Sequence, residues 1–288
     1  MVQPGGDAGG MKRILLAGIL ALCGTGAVPA AVPGGEVIVA QSSADSLPVK
    51  SARAVCPSGK NVVGAGGSVG GFLPGLIMTE VVPDATLTSV TVVGREDEAG
   101  TTAQWSFYAY AVCADPLPGL ELVTRTSSFS SGPVRSLKIL CPAPKRALSA
   151  GGRIDGAGGE VLLTNLRVHP FSAPLPNSAY LGATEDDTGA SGNWGLHGYA
   201  ICADPPPGYQ VVTYQSPVGS PPSQPLQGPA CPTGKRVLGV GGQVLSVNGQ
   251  VSLRHLIPQS LAVSVFAMED HDGTTINWSM GGQAICAD

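Results

Sequence analysis

Three short acidic segments are the first places in this sequence where the residue types could support chemistry. They occupy residues 96–98 (Glu-Asp-Glu), 185–187 (Glu-Asp-Asp) and 269–272 (Glu-Asp-His-Asp). Carboxylates clustered in a loop can bind Ca²⁺, and paired carboxylates can hydrolyse glycosides. A glycine follows each segment within a few residues, and this composition is typical of hairpin turns. We therefore interpret the segments as solvated turns, and the weak Ca²⁺ candidates are Asp97, Asp186 and Asp270.

Aromatic side chains that could contact a ligand lie just after these turns, in segments 105–113, 194–202 and 278–286. In each segment a tryptophan and a cysteine share one apolar face at a period of two, which predicts a strand with that face in the core. The opposite face differs between the copies. It carries Tyr108 and Tyr110, then His197 and Tyr199, then Gly281 and Gln283. Exposed aromatic rings with polar groups can bind sugars, so we predict ligand contact at Tyr108, Tyr110, His197 and Tyr199, unless another strand covers them.

The sequence evidence for catalysis is weaker than the evidence for ligand binding. The segment 66–70 (GGSVG) matches the G-x-S-x-G pattern, but no helix follows it, and Ser68 aligns with Arg153 and Gln243 in the sister copies. None of the four histidines has zinc-motif spacing. The divergent segment 169–180 (HPFSAPLPNSAY) is the best place for a cleft unique to one copy. We predict no catalytic residue and no cofactor, and whether the protein is an enzyme stays open.

The elements that position these residues come from a threefold repeat. Cys-Pro, a lysine and a Gly-Gly pair recur in segments that begin at Cys56, Cys141 and Cys231, and each is followed by the acidic turn and the tryptophan segment. The repeated Glu-Asp either holds its turn or pairs with the repeated lysine. Each copy holds one early and one late cysteine, and pairing them within the copy gives the same disulfide three times: Cys56–Cys113, Cys141–Cys202 and Cys231–Cys286.

These copies predict the domain ranges 36–119, 120–208 and 209–288. Each range should hold five or six strands and no helix, with a Greek-key-like closure of first strand against last. The fold class is therefore all-β. Two arrangements stay open, a pseudo-threefold β-prism with a shared core or three tandem β-sandwiches, and we slightly favour the first.

The N-terminal segment 1–30 is interpreted as a leader and a secretory signal peptide that starts at Met11. Lys12 and Arg13 precede an apolar stretch, and Val28-Pro29-Ala30 provides a cleavage site. An extracellular location fits six further cysteines. A net charge of −4 and 12% charged residues argue against a nucleic-acid partner, and no second apolar run has the length of a membrane span.

The tandem CPxGK, GG, W and CAD pattern resembles repeats of secreted actinobacterial proteins of unknown function. In architecture alone it is similar to the β-prism of vitelline-membrane outer-layer proteins, and that resemblance implies sugar binding. We expect a secreted, non-catalytic carbohydrate-binding protein whose partner is a polysaccharide or a secreted protein. The alternatives are a structural or interaction protein of the cell surface or matrix, and a secreted hydrolase or hydrolase inhibitor.

Overall fold

The computed structural model describes residues 32–71, 73–156, 158–245 and 249–288, so the predicted signal peptide lies outside the described residues. The described part is built from eighteen β-strands and contains no helix. Range 36–119 holds β1 (Glu36–Gln41), β2 (Val49–Val55), β3 (Asn61–Gly70), β4 (Leu76–Pro83), β5 (Ser89–Glu96) and β6 (Ser106–Ala114).

The other two ranges repeat this order. Range 120–208 holds β7 (Glu121–Thr126), β8 (Val134–Leu140), β9 (Arg146–Asp155), β10 (Val161–His169), β11 (Ser178–Glu185) and β12 (Gly195–Ala203). Range 209–288 holds β13 (Gln210–Gln215), β14 (Ser223–Ala230), β15 (Arg236–Leu245), β16 (Val251–Pro258), β17 (Ala262–Glu269) and β18 (Ser279–Ala287).

The strands form three six-stranded antiparallel sheets, and every sheet combines strands from two repeats. We call them sheet A (β1-β6-β3-β16-β17-β14), sheet C (β7-β12-β9-β4-β5-β2) and sheet E (β13-β18-β15-β10-β11-β8). The first strand of each repeat pairs with its last, as the Greek-key prediction requires. Because one hydrophobic core joins the inner faces of all three sheets, the structure is a pseudo-threefold prism and not three tandem sandwiches.

Repeats meet within a sheet at a narrow seam of two residue pairs. In sheet A, for example, Ser68 and Gly67 of β3 pair with His255 and Leu256 of β16. The repeated Gly-Gly pair lies at these seams. A Cβ atom added at Gly66 would overlap the carbonyl oxygen of Leu256, so glycine permits the close approach of the neighbouring repeat.

The three predicted disulfides are present, and each joins two sheets. Because Cys-Pro opens each repeated segment ahead of an apolar run, the sequence predicts that Cys-Pro begins an early strand. Instead Cys56 directly follows β2 in sheet C and is bonded to Cys113 on β6 in sheet A. The turn after Cys-Pro then leads into β3. Each disulfide therefore closes a corner of the prism, because it joins the residue after the edge strand of one sheet to the second strand of the neighbouring sheet.

Candidate functional site

The three acidic turns meet at one end of the prism, which we call the axial end. Residues of all three turns line a single small cavity there, of about 20 Å³. In each turn the aspartate caps its own loop: Asp97 Oδ1 accepts hydrogen bonds from the backbone N–H groups of Ala99 and Gly100, at 3.0 and 3.1 Å. Asp186 and Asp270 accept equivalent bonds from Gly189 and Gly273. The predicted turn role of the aspartates is thus present.

The glutamate of each Glu-Asp pair has a different partner, the indole N–H of the repeat's tryptophan. Glu96, Glu185 and Glu269 accept these bonds from Trp105, Trp194 and Trp278 at 3.0, 2.7 and 3.0 Å. The repeated lysines do not pair with Glu-Asp. They form ion pairs near the opposite end, as in Lys145 with Glu121 at 2.8 Å and Lys235 with Asp288 at 2.9 Å.

Carboxylates crowd at the axial end without a shared counter-ion in direct contact. Oxygens of Asp187, Asp270 and Asp272 lie within 4.8 Å of one another. Burial, followed by Asp272 and Asp187, raises the pKa of Asp270 to about 8. Of the three Ca²⁺ candidates, only Asp270 belongs to this group. The buried cation of Arg254 lies within Coulombic range of Asp97 and Asp270, which weakens the attraction of this end for a metal ion.

The predicted tyrosines of the first repeat lie on the outer face of sheet A. Tyr108 and Tyr110 of β6 are both half-buried. The residues in register with Tyr108 on the neighbouring strands are Gln41 and Ser68, and His255 follows Ser68 across the seam. The outer face of sheet A therefore places aromatic rings beside hydroxyl, amide and imidazole groups.

The corresponding residues of the second repeat lie on the outer face of sheet C. The rings of His197 and Tyr199 stack with centroids 4.8 Å apart and planes 4° apart. Tyr199 is only 8% exposed, so His197 offers the more accessible ring. Arg153 is in register with His197 and forms an ion pair with Asp155, Nε to Oδ1 2.6 Å. This face is more strongly charged than that of sheet A.

The third repeat has glycine and glutamine at these positions, yet an aromatic ring occupies its face too. The long loop between β10 and β11 brings Phe171 onto the outer face of sheet E, where a Cβ on Gly281 would be 2.7 Å from the ring. Gln283 is fully buried, donates to the carbonyl oxygen of Phe171 and accepts from the N–H of Val168. The divergent segment 169–180 thus supplies an aromatic ring at a position where β18 has only glycine.

Ser68 has no nucleophile-elbow geometry. It lies buried within β3, its Oγ donates to the carbonyl oxygen of Val69 at 3.2 Å, and the chain continues into a loop and then β4. The turn, helix and exposed hydroxyl that this motif needs are therefore missing at this position.

Sequence reasoning missed a basic group on sheet E, formed by Lys138, Arg167 and His169. The sequence signal that could have revealed it is the run from 166 to 170 (LRVHP), which has two basic side chains and no acidic one. Only the strand register shows that Lys138 of β8 lies across Tyr180 from Arg167.

No protein-family model matches the chain, and no curated protein matches it significantly. Along the described residues, no helix has the length and apolar character needed to cross a membrane.

Proposed function

We propose that this is a secreted, non-catalytic protein that binds carbohydrate through the outer faces of its sheets. The observation that carries the proposal is the outer face of sheet A, where half-buried Tyr108 and Tyr110 lie near Gln41 and, across the seam, His255. Protein sites for sugars combine a planar apolar surface with a few fixed hydrogen-bonding groups.

Secretion is supported by the predicted signal segment and by the three disulfides, which form and persist in oxidising compartments. Repetition also favours binding. Similar faces on one rigid body can contact one polymer at several points, and weak contacts then combine through effective concentration.

The test is a binding screen of the oxidised chain against neutral polysaccharides (dextran, xylan, mannan and β-glucan), with release of reducing sugar measured in parallel. We expect retention on at least one polymer without release. The double variant Tyr108→Ala, Tyr110→Ala should lose most of that retention. Tyr214→Ala should keep it, because Tyr214 is exposed on the edge strand β13, away from this face. Release of sugar would instead support the hydrolase alternative, and no retention on any polymer would contradict the proposal.

A second candidate, a structural or interaction protein, is favoured by exposed apolar side chains at the axial end. Leu47, Phe129 and Val218 are 62%, 56% and 66% exposed, and they lie in the three equivalent loops that follow β1, β7 and β13. Exposed apolar groups of this kind suit protein contacts. Cell-wall association that free polysaccharide does not compete away, and that Phe129→Ser with Val218→Ser abolishes, would support this second function.

A further inference from the structure

A buried arginine on the outer face of sheet E has no carboxylate partner. Arg167 of β10 is 9% exposed, and burial lowers its pKa. Among the described residues, no carboxylate oxygen lies within 4.0 Å of its guanidinium. Its contacts are weak: Nε donates to Asn165 Oδ1 at 3.4 Å, and Nη1 donates to the carbonyl oxygen of Val168 at 3.3 Å. A buried cation of this kind is costly unless something else supplies negative charge.

Two aromatic rings hold this guanidinium in place. Its carbon Cζ lies 4.8 Å from the ring centroid of Tyr180 and 5.5 Å from that of Phe171. Cation–π contacts stabilise a guanidinium and fix its position, but they do not neutralise its charge. In the part of the chain that the structure describes, acceptors lie at Nε and Nη1 only, so the N–H groups of Nη2 remain available for an acceptor from outside the chain.

Of the titratable groups around Arg167, Lys138 adds positive charge and His169 adds an imidazole whose charged form is disfavoured. Lys138 of β8 is exposed and is in register with Tyr180, directly across from Arg167. His169 faces Arg167 Nη1 through Nδ1 at 3.2 Å, and its pKa is lowered by burial, then by Arg167 and Lys138. No acidic side chain contributes to the electrostatics of Arg167 or His169.

The other two sheets provide internal comparisons at the same register positions. In sheet C, valine (Val82) replaces Arg167, and the cation in the place of Lys138 is Arg53, which lies 3.6 Å from Asp84. In sheet A the same positions hold Ile257 and Gln227, which are uncharged. At these two register positions, among the described residues, sheet E differs from the other two sheets in carrying cations without a carboxylate partner, in a protein whose net charge is negative.

A groove adjoins this basic group. Its lining is polar in part and includes the cation Arg135, and the apolar part is formed by Val134, Ala183, Val244 and Leu245. It has a volume of about 300 Å³, and two of the side chains that Arg167 contacts, Asn165 and Tyr180, form part of its lining. Hydroxyl groups of Ser136, Thr164 and Thr184 complete the polar lining, above the bare backbone of Gly182. A volume of this order accommodates one small ligand.

We propose that the outer face of sheet E binds an acidic saccharide, with the carboxylate of a uronic acid residue at Arg167 and Lys138 and the sugar ring in the groove. The planar guanidinium matches a carboxylate through paired hydrogen bonds. Asn165, Tyr180 and the groove hydroxyls then bind the hydroxyl groups of the sugar. This inference rests on the proposed carbohydrate function and assigns one class of ligand to one face.

The test compares oligogalacturonate with its methyl ester by calorimetric titration at low salt. The two probes share a sugar backbone and differ in charge. We expect the acid to bind at least about tenfold tighter than the ester, since a hydrogen bond to a charged group contributes that much. Arg167→Gln should weaken binding of the acid by about 10- to 100-fold, and the exposed Lys138→Gln by a smaller factor. Arg53→Gln, the matched cation on sheet C, should change nothing.

Several results would overturn the inference. Binding of the acid that survives both Arg167→Gln and Lys138→Gln would do so. If inorganic phosphate displaced the acid as effectively as free oligogalacturonate does at the same concentration, the site would bind anions without recognising a sugar. If Arg167→Gln failed to fold, Lys138→Gln and Lys138→Glu would decide the question from the surface. Equal binding of ester and acid that requires Tyr108 would leave the carbohydrate function intact and refute this site, and binding of neither probe, nor of any neutral polymer, would refute both.

Discussion

The inner and outer faces of the three sheets diverge to very different extents. On the inner faces, Trp105, Trp194 and Trp278 occupy equivalent positions and are at most 2% exposed. Each donates its indole N–H to the glutamate of the acidic turn in its own repeat. Outside, the residues three positions later are Tyr108, His197 and Gly281, which offer a phenol, an imidazole and no side chain. The shared core constrains the inner faces because each repeat packs against both others. The outer faces carry no such constraint, so differences in ligand between the sheets should arise there.

The largest effect should come from removing an inner tryptophan. Trp278→Ala deletes a fully buried ring and leaves Glu269 with a buried acceptor, so we expect a loss of about 3–5 kcal/mol in the free energy of unfolding. Tyr108→Ala on the outer face should cost only about 1 kcal/mol, because its ring is half-buried. Denaturant titrations of both variants, with disulfides intact, give the comparison. Equal losses would show that the two faces do not differ as we describe.

A smaller effect should follow from disturbing the balance of volumes in the core. A Cβ added at Gly94 would overlap the ring of Phe107. In the second repeat the position of Gly94 holds Ala183 and the position of Phe107 holds the smaller Leu196. Gly94→Ala should therefore cost about 1–3 kcal/mol. Adding Phe107→Leu should recover most of that loss, because it copies the second repeat. A double variant less stable than either single one would contradict the equivalence of the inner faces.

The smallest effect concerns pH and the axial end, because Asp270 is half-exposed and solvent screens most of its interaction with the neighbouring carboxylates. The pKa of Asp270 is raised from 3.8 to about 8, so the folded protein keeps a proton that the unfolded chain releases. The free energy of unfolding should therefore decline as the pH rises from about 4 to about 8. Asp270→Asn keeps the acceptor for Gly273 and should flatten this decline. Melting temperatures across that range test it, with Asp115→Asn at the opposite end as the control that should leave the slope unchanged.

Much of the fold could be predicted from repetition and alternation. The tryptophan strands, the hairpin role of the acidic turns and the disulfide pairing all follow from three copies in register. The pairing of strands from two repeats in one sheet could not be predicted in the same way. Each seam consists of only two residue pairs, and the alternation of apolar and polar residues shows which face of a strand is buried but not which strand lies beside it. Phe171 could not be placed either, since a loop residue carries no periodicity. The unpartnered charge of Arg167 could not be predicted either, because it depends on which residues three neighbouring strands place beside the guanidinium.

The seam of sheet A also sets an order of events during folding. Ser68 in the first repeat pairs with His255 in the third, so this sheet cannot close until nearly the whole chain is available. Contacts between such distant residues make folding slow, and the unpaired edge of β3 remains open to other chains in the meantime. Under the secretion that we propose, the chain meets this problem after it has crossed the membrane. There the corner disulfides can form one repeat at a time, each holding β2 near β6 before the neighbouring repeat arrives.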